Sequence, residues 1–222
     1  KYCLVLDRLY DTLEERIDKW AIEKKRLRGV MGVFGKKKFE LRHLFSDRLL
    51  AALDIARALK YLHGKNIIFR DLKPENVGFD VRGDAKIFDF GLARGKRKQQ
   101  QNKYKVSFLP TEIHIIYPYI ISSSIHDKEF PDPTKEKVFA HDTYQMSGKT
   151  GSLRYMAPEV AQEKPYNETV DVYSLAILAW QIFSMDTPFT GYSIAMHNNL
   201  VIEKSGRPKV DPKWGHRLGD WL

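Results

Sequence analysis

The apolar positions of the chain fall into a few separate blocks. Tyr2 to Leu6 is an unbroken apolar run of strand length, and Asp7 to Trp20 crosses into a short helix carrying Leu13, Ile17 and Trp20. The pattern then lapses. A basic stretch of about 21–45, punctuated by Gly29, Gly32 and Gly35, reads as an inserted linker. From Ser46, a residue of N-cap type, Leu49, Leu50, Leu53, Ile55, Ala56, Leu59 and Leu62 recur at helical spacing up to Gly64. Asn66 to Phe79 and Ala85 to Phe88 are short β-type runs with Gly83 at the corner between them. Arg94 to Met146 carries little regular pattern, whereas Thr169 to Ser184 is apolar almost all round, as expected of a helix in the middle of a domain. These elements predict an α+β fold that is mainly α-helical.

Composition narrows the setting. With 222 residues and 43% hydrophobic content, the chain has room for one substantial domain with a real core. Its single cysteine, Cys3, forms no internal disulfide and suits a reducing compartment, so a cytoplasmic or nuclear location is expected. The longest apolar stretches, Ile115 to Ile121 and Leu175 to Trp180, are too short to span a bilayer, and no membrane association is expected. The net charge of +9 is concentrated in Lys24 to Arg28, Lys36 to Lys38 and Arg94 to Lys98. No aromatic residues alternate with these blocks as a base-stacking surface requires, so direct nucleic-acid binding is not expected.

The chemistry concentrates in three short motifs. Phe69-Arg70-Asp71-Leu72-Lys73-Pro74-Glu75-Asn76 sets an aspartate, a lysine and an asparagine on one tight loop; Asp89-Phe90-Gly91 follows it, and Gly151 to Glu159 (GSLRYMAPE) comes later. In this order they resemble the catalytic loop, metal-binding triplet and activation-segment end of eukaryotic-type protein kinases, of serine/threonine type. Arg154 to Glu159 and the tail Gly206-Arg207-Pro208, with Trp214 and Leu218, are similar to the tyrosine-kinase-like branch. The resemblance implies a kinase-like fold in which 1–222 is a partial domain, hinge and large C-terminal lobe, with the small N-lobe missing. A basic insert of about 21–45 and an activation-segment insert of about 99–137 interrupt it.

The resemblance also implies roles. Phosphoryl transfer needs positioning and charge neutralisation more than covalent participation by the protein. Asp71 would accept the proton of the substrate hydroxyl, and Lys73 would neutralise charge on the transferred group of ATP. Asn76 and Asp89 would supply oxygen ligands to magnesium, a hard cation that prefers them. Leu4 to Leu9 looks like the last small-lobe strand and hinge, with Leu6 as gatekeeper and the backbones of Asp7 and Leu9 facing adenine. Lys73 is the residue that serine/threonine kinases carry at this place, and Ser152 stands where a hydroxyl bridges the catalytic aspartate and lysine. Asp171 stands where a carboxylate accepts N–H bonds from the catalytic loop. Arg70 implies pairing with a phosphorylated activation segment, with Thr143, Ser147 and Thr150 as candidates.

Two positions depart from the pattern. Phe69 replaces the usual histidine and keeps the stacking on Phe90. Gly78 stands where the family has an apolar side chain beneath the adenine, which implies weakened ATP binding. Two readings follow: an active kinase acting on a protein substrate, and a pseudokinase or docking module. Retention of Asp71, Lys73, Asn76 and Asp89 together favours the first.

Overall fold

The computed structural model describes residues 8–28, 36–95, 151–211 and 214. Strand β1 (Asp11–Thr12) leads into helix α1 (Leu13–Arg28) through a reciprocal cap. The Thr12 N–H donates to Glu15 Oε2 at 2.9 Å, and the Glu15 N–H donates to Thr12 Oγ1 at 3.3 Å, which satisfies two donors that a helix start leaves open. Leu13, Ile17, Trp20 and Leu27 form the buried stripe of α1.

Helix α2 (Lys36–Gly64) is the longest element. The basic stretch read as a linker is therefore helical on both sides of residues 29–35, and Ser46 lies within α2 rather than at its start. Lysine and arginine are good helix formers, and Leu27 and Leu44 anchor these turns in the core. The buried face of α2 runs through Leu44, Arg48, Ala51, Ile55, Leu59 and Leu62, which leaves Leu49 and Leu50 exposed. Arg48 is on that face for a reason: its Nε donates to the Leu44 carbonyl at 3.0 Å and its guanidinium to the Phe183 carbonyl at 3.1 Å, near the end of another helix.

After α2 come β2 (Ile67–Ile68), β3 (Val77–Phe79), β4 (Ala85–Ile87) and β5 (Arg94–Gly95). Strands β1, β3 and β4 form an antiparallel sheet in that order, and β2 pairs with β5. Gly83 turns the β3–β4 corner at φ +85°, its N–H donating to the Asp80 carbonyl at 3.0 Å. The chain resumes with α3 (Pro158–Ala161), α4 (Thr169–Ser184) and α5 (Ile194–His197), the last continuing into a π-helical turn, Asn198–Glu203. Helix α4 is the hub, with Val170, Leu178, Ile182 and Phe183 all buried. Each such side chain stabilises the fold by about 1.5–3 kcal/mol. Among the described residues no helix is long and apolar enough to cross a membrane.

His197 is buried in this region, packed edge-on against Phe189 at 5.1 Å, and neither ring nitrogen has a hydrogen-bond partner among the described residues. Burial, and behind it the positive charge of Arg154, holds its imidazole below the ordinary value. The unfolded chain therefore takes up this proton at higher pH than the folded protein. The contribution of neutral His197 to stability is full above about pH 6.5 and is lost as pH falls from there through the folded value. His197→Phe should flatten the decline in melting temperature between about pH 7 and pH 5; parallel pH profiles for the two proteins would contradict this.

Candidate active site

Asp171, in the first turn of α4, is fully buried beneath the loop that follows β2. Its Oδ1 accepts the Arg70 N–H at 2.7 Å, and its Oδ2 accepts the Phe69 N–H at 2.8 Å and lies 2.8 Å from His63 Nε2 in the last turn of α2. These bonds hold Arg70 at φ 73°, in the left-handed region that a residue with a side chain adopts only when its surroundings impose it. The expected role of Asp171 is thus what the structure shows, with His63 as a partner that the sequence did not reveal.

The next residue, Asp71, is buried, and three donors converge on its carboxylate. Lys73 Nζ is 3.1 Å and Asn76 Nδ2 2.9 Å from Oδ2, while the Ser152 N–H donates to Oδ1 at 3.2 Å. Ser152 meets Asp71 through its backbone, not through the hydroxyl bridge expected of it. The approach is close: a Cβ on Gly151, which has φ +92°, would stand 2.7 Å from the Arg70 carbonyl oxygen and 3.2 Å from Asp71 Oδ1.

Asn76 also donates to the Asp71 carbonyl at 2.8 Å, which turns its amide oxygen away from Asp71. The β3–β4 ladder brings Asp89 back toward it, since the Phe88 N–H donates to the Asn76 carbonyl at 3.0 Å. Asp89 is exposed and left-handed at φ 60°, with Oδ1 accepting the Gly91 N–H at 3.2 Å. An amide oxygen and a carboxylate are oxygen donors of the kind a hard divalent cation prefers. Among the described residues no group of three or more His, Cys, Asp or Glu side chains is placed to hold a metal unaided.

Aromatic and hydroxyl groups brace this frame. Phe69 and Phe90 meet edge to face at 5.3 Å, so the phenylalanine in the histidine position keeps its aromatic contact with Phe90, edge-on rather than stacked. The Arg70 guanidinium donates to the Leu92 carbonyl at 2.6 Å and the Tyr166 hydroxyl at 2.8 Å. The Tyr155 hydroxyl donates to Gln181 Oε1 on α4, and Ser174 Oγ donates to the Tyr155 carbonyl at 2.7 Å, which fixes the segment after Ser152. Burial, with the Glu75 carboxylate adding to it, pushes the Tyr155 phenol far up, so it remains a donor. Beyond it lies a cavity of about 440 Å³ lined by Leu153, Met156, Ala161, Ile194 and Ile202 among others.

Of the remaining expected site residues, Leu9 is described and packs over Gly78. Leu6, Asp7, the candidate phosphorylation sites Thr143, Ser147 and Thr150, and the stretch 99–137 lie outside the described residues. Tyr166 was not singled out in the sequence, and Gly151 stood there only as the first residue of its motif, without a role of its own. Gly151 had a signal, as a glycine directly before the residue that meets Asp71.

The profile of the protein kinase domain family matches residues 37–124 and 136–216. The chain is similar to serine/threonine-protein kinase STY17 of Arabidopsis thaliana, 30% identical over 76% of this chain and 22% of the relative. It is similar to serine/threonine-protein kinase VIK of the same plant, 34% identical over 66% of this chain and 26% of the relative. It is similar also to serine/threonine/tyrosine-protein kinase HT1, again of Arabidopsis thaliana, 30% identical over 73% of this chain and 30% of the relative. The chain thus spans between 22% and 30% of the length of these relatives.

Gly151→Ala should lower stability by about 1–3 kcal/mol, from the strained φ and the clash with the Arg70 carbonyl. Denaturant unfolding measures it, and an unchanged midpoint would show that the segment does not run this close to Asp71.

Proposed function

Since the chain belongs to the protein kinase domain family, we propose that the protein carrying it transfers the γ-phosphate of ATP to a serine or threonine hydroxyl of a protein substrate. The observation that carries this is the Asp71 carboxylate, buried, oriented by Asn76 Nδ2, Lys73 Nζ and the Ser152 N–H, and one step from the Asp171 anchor. Asp71 accepts the proton of the substrate hydroxyl as its oxygen forms the new bond to phosphorus; the bond from the γ-phosphorus to the bridging oxygen breaks, and ADP leaves. Lys73 neutralises charge developing on the transferred group. Asn76 and Asp89 hold magnesium, which when bound neutralises the phosphates. Preference for serine and threonine rests on Lys73, and the name of HT1 keeps tyrosine within reach of the assay below.

The Ser152 N–H meets Asp71, and Leu153 follows at the rim of the cavity. A peptide presenting its hydroxyl to Asp71 would have its neighbouring residues near this cavity, whose lining joins Leu153, Met156 and Ile194 to Gln162, Asn198 and Glu203. The compartment proposed is the cytosol or nucleus.

In the full-length protein, Asp71→Asn should lower turnover by about 10²–10⁴-fold with nucleotide binding retained, as for loss of a general base. Asp89→Ala should abolish the dependence of nucleotide binding on magnesium. Radiolabel transfer and calorimetry check both. A wild-type protein that transfers no phosphate to serine, threonine or tyrosine would favour the docking-module reading instead.

A further inference from the structure

The π-helical turn Asn198–Glu203 decides which side chains reach the cavity beyond Tyr155. Its closing bond runs from the Lys204 N–H to the Asn199 carbonyl, five residues back, at 3.1 Å. A turn closed over five residues is wider than an α-helical one, so the residues four and five places after Asn198 both come round to its face. Ile202 and Glu203 therefore line the cavity together with Asn198, whereas an α-helical turn would carry Glu203 away from it. Turns of this kind are rare and recur at functional sites.

The lining divides by chemistry. Ile202 is buried and, with Leu153 and Met156 from the segment after Ser152, makes an apolar wall. Gln162, Asn198 and Glu203 are exposed and set two amides and one carboxylate on the open side. No cationic side chain is among the lining residues. Arg154 and Arg207, from the flanking segments, are held elsewhere, on the Pro188 carbonyl at 3.0 Å and the Gly206 carbonyl at 2.8 Å. Among the described residues Glu203 forms no ion pair. The volume of about 440 Å³ lies low in the range of about 300–1,000 Å³ for ligand pockets, so the space suits a long side chain rather than a whole partner domain. A carboxylate at the open side of an apolar wall matches a side chain with an aliphatic stem and a cationic head. Arginine fits better than lysine, because its planar fork engages the carboxylate and leaves donors for the amide oxygens of Gln162 and Asn198.

The place of the cavity gives this match a use. The Ser152 N–H donates to Asp71 Oδ1 at 3.2 Å, and the next residue, Leu153, is already part of the wall. An extended peptide advances about 3.3 Å per residue, so a side chain close to the acceptor in sequence reaches the wall. On the kinase reading proposed above, we infer that Glu203 is a specificity-determining residue: it selects an arginine within three places of the acceptor serine or threonine, the stem of that arginine lying against Leu153, Met156 and Ile202.

The test uses the full-length protein with magnesium–ATP and a panel of serine peptides. In the panel, each of the three places on either side of the acceptor is in turn Ala, Leu, Arg or Glu. In the wild type, Arg at one of these places should raise kcat/KM over Ala by about fivefold, the effect of an ion pair at a partly open site. Leu should give a smaller gain, and Glu should fall below Ala. Glu203→Gln should abolish the gain from Arg, and Glu203→Lys should invert the order at the same place, so that Glu exceeds Arg. Glu203 is exposed and unpaired among the described residues, so both substitutions should leave the fold intact, and loss of packing would not produce the inversion. A preference for Arg that survives both substitutions, a larger gain from Leu than from Arg, or no preference at any place overturns the inference and leaves the kinase reading standing. Calorimetric titration of the Arg peptide, with alanine in place of the acceptor, separates the two readings. Binding that Glu203→Gln weakens, in a protein that transfers phosphate to no peptide, upholds the arginine site and overturns the kinase reading. Absence of both binding and transfer overturns both.

Discussion

The buried carboxylate of Asp171 is the interaction on which the rest of the site depends. Removing an ion of this kind from water is unfavourable unless its lone pairs find donors. Here two backbone N–H groups and an imidazole nitrogen supply them, at 2.7 to 2.8 Å. Hydrogen bonds to an ionised group are about twice as strong as neutral ones, so the same contacts that make the burial tolerable also hold the loop. They reach two successive peptide groups, Phe69 and Arg70, and so determine the direction in which Asp71 leaves. Helix α4, apolar nearly all round, makes a rigid base for this anchor.

Backbone strain is present at the site as well as elsewhere: Arg70 and Asp89 are two of the seven non-glycine residues at positive φ among those described. Each such conformation costs of the order of 1–3 kcal/mol and persists only where other contacts impose it. At Arg70 the contacts are the Asp171 carboxylate and the Tyr166 hydroxyl. At Asp89 they are the Gly91 N–H and the β4 strand that delivers it. The positioning that the proposed phosphoryl transfer would need therefore draws on helices α2 and α4 and on the β3–β4 hairpin together.

Much of this was legible in the sequence because the chemistry restricts the residue types. Asp71, Lys73, Asn76 and Asp89 lie close along the chain, and the structure brings Asp71, Lys73 and Asn76 into contact and returns Asp89 toward Asn76 through a hairpin that Gly83 announced. The contact of Phe69 with Phe90, found edge-on, and the bonding of Asp171 to the loop were expected. What was hidden depends on distant partners. His63 and Tyr166 meet Asp171 and Arg70 across 108 and 96 residues of sequence, and neither has a local pattern to announce it. The start of α2 was misread because Ser46 is a good N-cap residue that here lies on the exposed face of a longer helix. Arg48 broke the apolar stripe for an equally distant reason, the carbonyl of Phe183.

Amide hydrogen exchange on the full-length protein and its Asp171→Ala variant, with phosphoryl transfer measured in parallel, tests the anchor most directly. The account predicts that the Phe69 and Arg70 amides are strongly protected in the wild type. In the variant they should exchange rapidly while the middle of α4 stays protected, and transfer should fall with them. Protection of Phe69 and Arg70 that survives the substitution, together with undiminished transfer, would contradict the claim that this carboxylate holds the catalytic loop.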